Sequence, residues 1–174
     1  MNKAKFYKVS YEQFKKDLEN TWNLSGVAEF EIKNIYDNIK LPKRSTTGSA
    51  GYDFFAPFSI LLERKTHTVI PTGIRMEMDP DKVLFCFPRS GLGFKYRMQL
   101  DNTVGVIDSD YFYSDNEGHI MIKIANDGYE DKNIEINEGK AFAQGILMPF
   151  CVTDDDEADG IRNGGMGSTD ENNK

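Results

Sequence analysis

From about Phe30 to Val152 the chain is cut into short apolar runs, each closed by turn-favouring residues, and this pattern restricts the fold most. Ile120, Ile122 and Ile124 alternate with Met121 and Lys123, a period of two that sends one face of a strand into a core. Ile134-Glu135-Ile136 is a shorter case, and Val83 to Phe87 reads as a strand buried on both faces. Breaks fall at Pro42, Gly48, Pro71-Thr72-Gly73, Asp79-Pro80-Asp81, Asp127-Gly128 and Asn137-Glu138-Gly139. Many short strands at this spacing predict an all-β sandwich or barrel of mostly antiparallel strands.

The two flanks read differently. Ser10 with Gln13 three residues on makes a capping box, and Tyr11, Phe14 and Leu18 share one face of a helix over 10–20. That stripe predicts a patch docked on the main body. After Val152 come Thr153-Asp154-Asp155-Asp156-Glu157-Ala158-Asp159, an acidic run with nothing to bury, and then a Gly- and Asn-rich tail expected to be mobile. The organisation expected is therefore an N-terminal helical extension (1–28), a β-barrel (29–152), and an acidic linker with a C-terminal arm (153–174).

A chain of 174 residues with 39% hydrophobic content can bury one sizeable core. Its net charge of −7 argues against a general affinity for the nucleic-acid backbone or a nucleic-acid partner. A nucleotide site would need a local basic pocket, for which Arg89, Lys95 and Arg162 are available. Nothing at the N-terminus resembles a signal peptide, and no apolar run approaches the ~18 residues of a membrane span. A soluble, cytoplasmic protein with no membrane partner is expected. Cys86 and Cys151 each sit in an apolar run and read as two buried, reduced thiols. His67 and His119 have no ligand-like spacing and read as structural or surface residues.

Chemistry concentrates in five segments. Gly105-Val106-Ile107-Asp108-Ser109-Asp110-Tyr111 places an acid just past an apolar run, with Asn102 before it and an aromatic after it. Ala50-Gly51-Tyr52-Asp53 and Pro88-Arg89-Ser90-Gly91-Leu92-Gly93-Phe94-Lys95 precede this stretch. Gly139-Lys140-Ala141-Phe142-Ala143-Gln144 and Arg162-Asn163-Gly164-Gly165-Met166-Gly167-Ser168-Thr169 come after it. In this order, from about Leu41 to Thr169, they resemble the trimeric dUTPase family, in its Gram-positive bacterial or phage type.

The resemblance implies a distorted β-barrel or jelly roll of the dUTPase type, with a short N-terminal helix and a mobile C-terminal arm. It implies an enzyme that attacks the α-phosphorus of dUTP with water, giving dUMP and pyrophosphate. That reaction limits uracil incorporation into DNA and supplies dUMP for dTMP synthesis. Asp108 matches the water-activating acid; an ordinary aspartate, with a pKa of ~3.9, is ionised at neutral pH and can hold water or accept its proton. Asn102, with the neighbouring Val106 and Ile107, matches the base-reading hairpin. A site built for uracil's acceptor at O4 and donor at N3 leaves buried groups unpaired with cytosine. Tyr111 matches the sugar-stacking tyrosine, filling the space that a ribose 2′-hydroxyl needs. Asp110 reads as structural or solvated.

For the triphosphate, Arg89, Ser90 and Gly91 match a phosphate-holding turn that combines a guanidinium fork, a hydroxyl and close backbone amides. Gln144 matches a contact to the α-phosphate or to metal-bound water. Asp53 matches the first-motif acid, reaching Mg²⁺ through water, while the ion itself rides mainly on phosphates and water. Arg162, Met166, Gly167 and Ser168 match an arm that closes over the nucleotide, Arg162 on the terminal phosphates. Ordering such an arm costs about 1–2 kcal/mol per residue, so closure should need the full triphosphate. The arm lacks the Lys-Ser/Thr and the succeeding helix of a Walker loop. Family sites are shared among three subunits, which implies a homotrimer inactive as a monomer.

Several positions depart from the family. Met166 stands where the arm usually stacks a phenylalanine on the base, a loss of about 0.5–1.5 kcal/mol. The arm is one residue shorter than in many relatives between Arg162 and Gly164-Gly165 and continues into Asp170, so reduced but real turnover is expected. Ala141 replaces a frequent arginine. Phe112 to Glu117 lengthens the hairpin after Tyr111 and reads as a solvated loop, with a protein-binding knob as the alternative. Two rivals stand beside this reading: a dCTP deaminase, which would need a catalytic glutamate in a different base pocket, and a dUTPase-like regulatory binder with weak activity.

Overall fold

A computed structural model describes residues 4–160 and Arg162. Tyr52–Phe55 (β2), Ala141–Pro149 (β11), Lys82–Pro88 (β6) and Gly105–Asp108 (β8) lie side by side in that order as a four-stranded sheet. His67–Pro71 (β4), Met121–Asn126 (β9) and Met98–Leu100 (β7) form a second, three-stranded sheet. Ala4–Lys8 (β1) pairs with Ile74–Met78 (β5), and Ile60–Leu62 (β3) with Ile134–Ile136 (β10). All these pairings are antiparallel. The short-run pattern therefore becomes several small sheets around one core.

Alternation decides which residues enter that core. Ile122 and Ile124 turn inward from β9, next to the buried Ile120, and meet Ile70, Leu84, Phe54 and Phe142 from the other strands. β6 departs from the fully buried strand expected of it. Val83, Leu84 and Cys86 are buried, but Phe85 and Phe87 are only half-buried and set their rings 6.4 Å apart. It is a half-buried strand whose outer face is also apolar.

The helix expected over 10–20 is Tyr11–Thr21 (α1), capped by Ser10, whose Oγ accepts from Gln13 N at 3.1 Å. Only half of the capping box forms. The Gln13 side chain donates to Asp17 instead, and Ser10 N donates to Glu117 Oε2 at 2.8 Å. Phe14 and Leu18 are buried as the stripe implied, and Trp22 Nε1 donates to Val69 O at 2.9 Å.

Three further expectations need correction. The strand pattern placed from about Phe30 begins later, because Glu29–Asn38 is a helix (α2). Ile32, Ile35, Tyr36 and Ile39 recur there at helical spacing and pack on the core. The N-terminal segment is also more than a helix, since β1 precedes α1 and pairs with β5. Of the two thiols, Cys86 is buried, and that burial pushes its pKa up to about 12. Cys151 is exposed, because β11 ends at Pro149 and Cys151 falls in the exposed segment beyond it. Among the described residues no helix is long and apolar enough to cross a membrane.

Candidate active site

The turn between β7 and β8 roofs a cleft of about 580 Å³. Asn102, Val106, Ile107, Asp108, Tyr111 and Arg162 all line it. Gly105 opens β8 because of a close approach: a Cβ there would sit 3.0 Å from the Cys86 Cβ on β6. The turn is tight. Thr103 adopts a φ of +65°, and the Asn102 carbonyl accepts from Val104 N at 2.8 Å and from Thr103 Oγ1 at 2.6 Å. A β-branched residue in the left-handed region costs roughly 1–3 kcal/mol, so the contacts of the flanking strands must hold this turn in place.

After β8 the chain enters a 3₁₀ turn, Ser109–Tyr113, that swings Tyr111 under the cleft. Tyr111 is buried; its hydroxyl donates to His119 O at 2.8 Å and accepts from Asn116 Nδ2 at 2.8 Å. Burial pushes its phenol above the usual range. Asp108, at the end of β8, keeps a side chain 46% exposed to the cleft. A carboxylate is thus set beside an aromatic wall and a carboxamide, in a space large enough for a nucleoside.

Arg162, expected at the terminal phosphates, lies on this cleft. It pairs with Asp108 through Nη2, its Nε is 3.0 Å from Asp110 Oδ1, and its guanidinium carbon stands 5.7 Å from the Tyr111 ring centre. The Nε contact is an ion pair without hydrogen-bond alignment, which leaves that buried N–H unpartnered. Asp110, read as structural or solvated, is therefore a partner of the arm. Met166, Gly167 and Ser168 lie outside the described residues, as does the expected mobility of the arm.

Asp53, Arg89, Ser90, Gly91 and Gln144 gather elsewhere, and none of them lines the cleft. Gln144 faces Asp53 on β2 and Phe87 on β6, and its Nε2 donates to Pro88 O at 3.1 Å. Asp53 is buried; Oδ1 lies 3.4 Å from Arg89 Nε and Oδ2 accepts from Ser45 Oγ at 2.9 Å. Ser90 and Gly91 are exposed at the start of a short helix, Ser90–Tyr96 (α3), where a turn was expected. Asp108 faces Val83 while Arg89 comes directly after Pro88. The two groups thus sit near opposite ends of β6, about 20 Å apart along the strand.

Asp53 is the one acid in the second group, and among the described residues no three His, Cys, Asp or Glu side chains converge. That donor set suits a divalent ion carried on phosphate and water, touched by protein through at most one carboxylate.

His119 is structural, as expected, but its partners were not foreseen. Its Nε2 accepts from Gly73 N at 2.7 Å, so Nδ1 carries the proton and donates to Asp17 Oδ2 at 2.6 Å. His67 is exposed. The lengthened hairpin is not simply solvated: Ser114 is buried, Phe112, Asn116 and Glu117 are half-buried, and only Tyr113 and Asp115 are exposed. The presence of Asn116 six residues before Ile122 gave no periodic signal, so its role on Tyr111 could not be read from spacing.

A family model described as dUTPase matches residues 37–169. A deoxyuridine 5′-triphosphate nucleotidohydrolase of Lactococcus lactis subsp. lactis is 41% identical over 145 residues, covering 80% of this chain and 95% of its own. One from Hahella chejuensis is 37% identical, covering 79% and 91%. Among solved structures, a dUTPase from Streptococcus mutans superposes with a TM-score of 0.60 at 36% identity, covering 68% of this chain and 91% of its own. A dUTPase from phage phi11 of S. aureus, described with a coordinated structural Mg(II) ion, gives 0.61 at 20% identity over 91% and 98%, a likeness of fold alone.

Proposed function

The chain belongs to the dUTPase family, and on that premise we propose how its residues share out the hydrolysis of dUTP to dUMP and pyrophosphate. It is a dUTP diphosphatase with an all-β, jelly-roll-like fold of that family. The observation that carries the assignment of roles is the cleft in which Asn102, Asp108 and Tyr111 converge.

Uracil enters under the turn between β7 and β8, where the Asn102 segment reads its O4 and N3 and the walls of Val106 and Ile107 leave no room for a 5-methyl group. Deoxyribose stacks on Tyr111. Asp108 holds a water and accepts its proton as the oxygen bonds to the α-phosphorus. The bond from that phosphorus to the bridging oxygen breaks, and pyrophosphate leaves with the electron pair. Arg89, fixed by Asp53, takes phosphate oxygens together with Ser90 and Gly91, and Gln144 takes the α-phosphate. Mg²⁺, when bound, neutralises phosphate charge, with Asp53 reaching it through water.

Arg162 supports an exchange. It lies on two carboxylates and beside Tyr111, so the sugar can reach the ring only when it moves. A triphosphate offers a denser negative charge, and Arg162 transfers to it as the arm of Met166, Gly167 and Ser168 closes.

One chain separates Asp108 from Arg89 and Gln144, which favours a site completed by a neighbouring copy in a homotrimer. The test is pyrophosphate release from dUTP, dTTP, dCTP and UTP with magnesium. Turnover of dUTP far above that of the other three is expected; ammonia release from dCTP, or no turnover of dUTP, overturns the reading.

A further inference from the structure

Two features outside the catalytic motifs meet each other at Tyr111. The first is the N-terminal element, β1 and α1, which precedes residue 37, where the family match begins. The second is the turn from Phe112 to Gly118. Glu117 accepts from Ser10 N at 2.8 Å and from Ser10 Oγ at 2.5 Å, with its backbone at a φ of +58°. Arg75 on β5 donates to Phe112 O at 2.5 Å, lies 3.7 Å over the Phe112 ring and 3.7 Å from Glu117 Oε2. Gly118, at a φ of +68°, folds so tightly back that a Cβ would stand 2.6 Å from Tyr111 O. The turn is pressed onto the tyrosine and latched to the helix cap.

Both hydrogen bonds of the Tyr111 hydroxyl go to this assembly: the Asn116 side chain donates to it, and the His119 carbonyl accepts from it. His119 is wholly buried and held at both ring nitrogens, by Gly73 N and by Asp17 of α1. Asp17 is itself oriented by Gln13 Nε2 at 2.8 Å. The chain of contacts thus runs from α1 through Asp17 and His119 to the phenol that walls the cleft.

We propose that Asp17, acting through His119, and Asn116, acting on the Tyr111 hydroxyl, are positioning residues that set the ring against the sugar and so tune discrimination between dUTP and UTP. A ring free to tilt yields the space that a 2′-hydroxyl requires. The inference rests on the sugar-stacking role proposed for Tyr111.

Asp17→Asn, Asn116→Ala and Tyr111→Ala are compared in the full chain by kcat and KM for dUTP and UTP separately. Loss of one hydrogen bond in the chain should lower the dUTP-to-UTP ratio of kcat/KM about tenfold, mainly by a lowered KM for UTP. Tyr111→Ala should lower it at least as far, and adding Asp17→Asn to Tyr111→Ala should change it no further. A purely structural role for Asp17 would reduce the active fraction, and both substrates would lose kcat alike with the ratio unmoved. An unchanged ratio in Asp17→Asn and Asn116→Ala, beside a collapsed one in Tyr111→Ala, overturns this inference and leaves the role of Tyr111 standing. An unchanged ratio in Tyr111→Ala overturns that role and the inference with it. If Asp17→Asn fails to fold, Asn116→Ala carries the test alone, and an unchanged ratio there overturns the proposal.

Discussion

In the proposed mechanism Asp108 has two partners, a water to be activated and the Arg162 guanidinium that lies on it. Substituting asparagine keeps the shape and removes the charge, so the two demands separate. Asp108→Asn should lower kcat by about 10²–10⁴-fold, the usual contribution of a positioned acid or base. Affinity for a non-hydrolysable dUTP analogue should stay within about threefold, since Asn102, Tyr111 and Arg89 are untouched; unchanged turnover would remove Asp108 from the mechanism. The two cysteines make a second residue-level prediction. Cys86 is buried with its thiol pushed up to about 12, which leaves almost no thiolate at neutral pH, whereas Cys151 is exposed. A thiol reagent should modify one cysteine in the native protein, and the second only on unfolding. Two rapid modifications in the native state would contradict the packing of β6 against β8.

At the scale of elements, the acidic run after β11 explains why the arm can be removed. Residues 153–160 are exposed and outside helix and strand, so no sheet rests on them. Truncation after Asp159 should leave the melting temperature within a few degrees while abolishing most turnover, because Arg162 and the glycine-rich arm go with it. Normal activity in the truncated protein would end the case for closure. The elements also show how far the sequence could be read. Alternation at Ile120, Ile122 and Ile124 revealed β9, because burial on one face writes a period of two directly into the residues. The same reasoning passed over α2, where Ile32, Ile35 and Ile39 hold a helical period within a stretch grouped with the strands. It also made β6 too buried, since an apolar run looks alike whether its second face meets core or a partner. In the candidate site, Asn102, Asp108 and Tyr111 were named through the family resemblance of their motif, and they line one cleft because the turn after β7, strand β8 and the 3₁₀ turn follow one another. The contacts Asp17–His119 and Ser10–Glu117 join residues about a hundred positions apart. No spacing rule reports such pairs, so only the folded chain reveals them.

For the whole molecule, the decisive fact is that β6 holds Asp108 and Arg89 apart within one chain. In the proposed mechanism both act on one nucleotide, and the proposed homotrimer would supply the missing half by placing the Arg89 end of one copy against the Asp108 cleft of the next. The outer face of β6 and β8, with half-buried Phe85 and Phe87 and a Val106 that is 54% exposed, gives such contacts an apolar surface to cover. Complementation tests this directly. Arg89→Ala and Asp108→Asn should each be nearly inactive alone. In a mixed trimer, one of the three interfaces joins an intact Arg89 to an intact Asp108. Random reassembly of an equal mixture makes three-quarters of the trimers mixed, so activity should return to about a quarter of wild type. Dilution below the trimer dissociation range should abolish it again. If the mixture stays as inactive as its components after full subunit exchange, each centre is built within one chain, and the separation along β6 must then be bridged by the arm rather than by a neighbour.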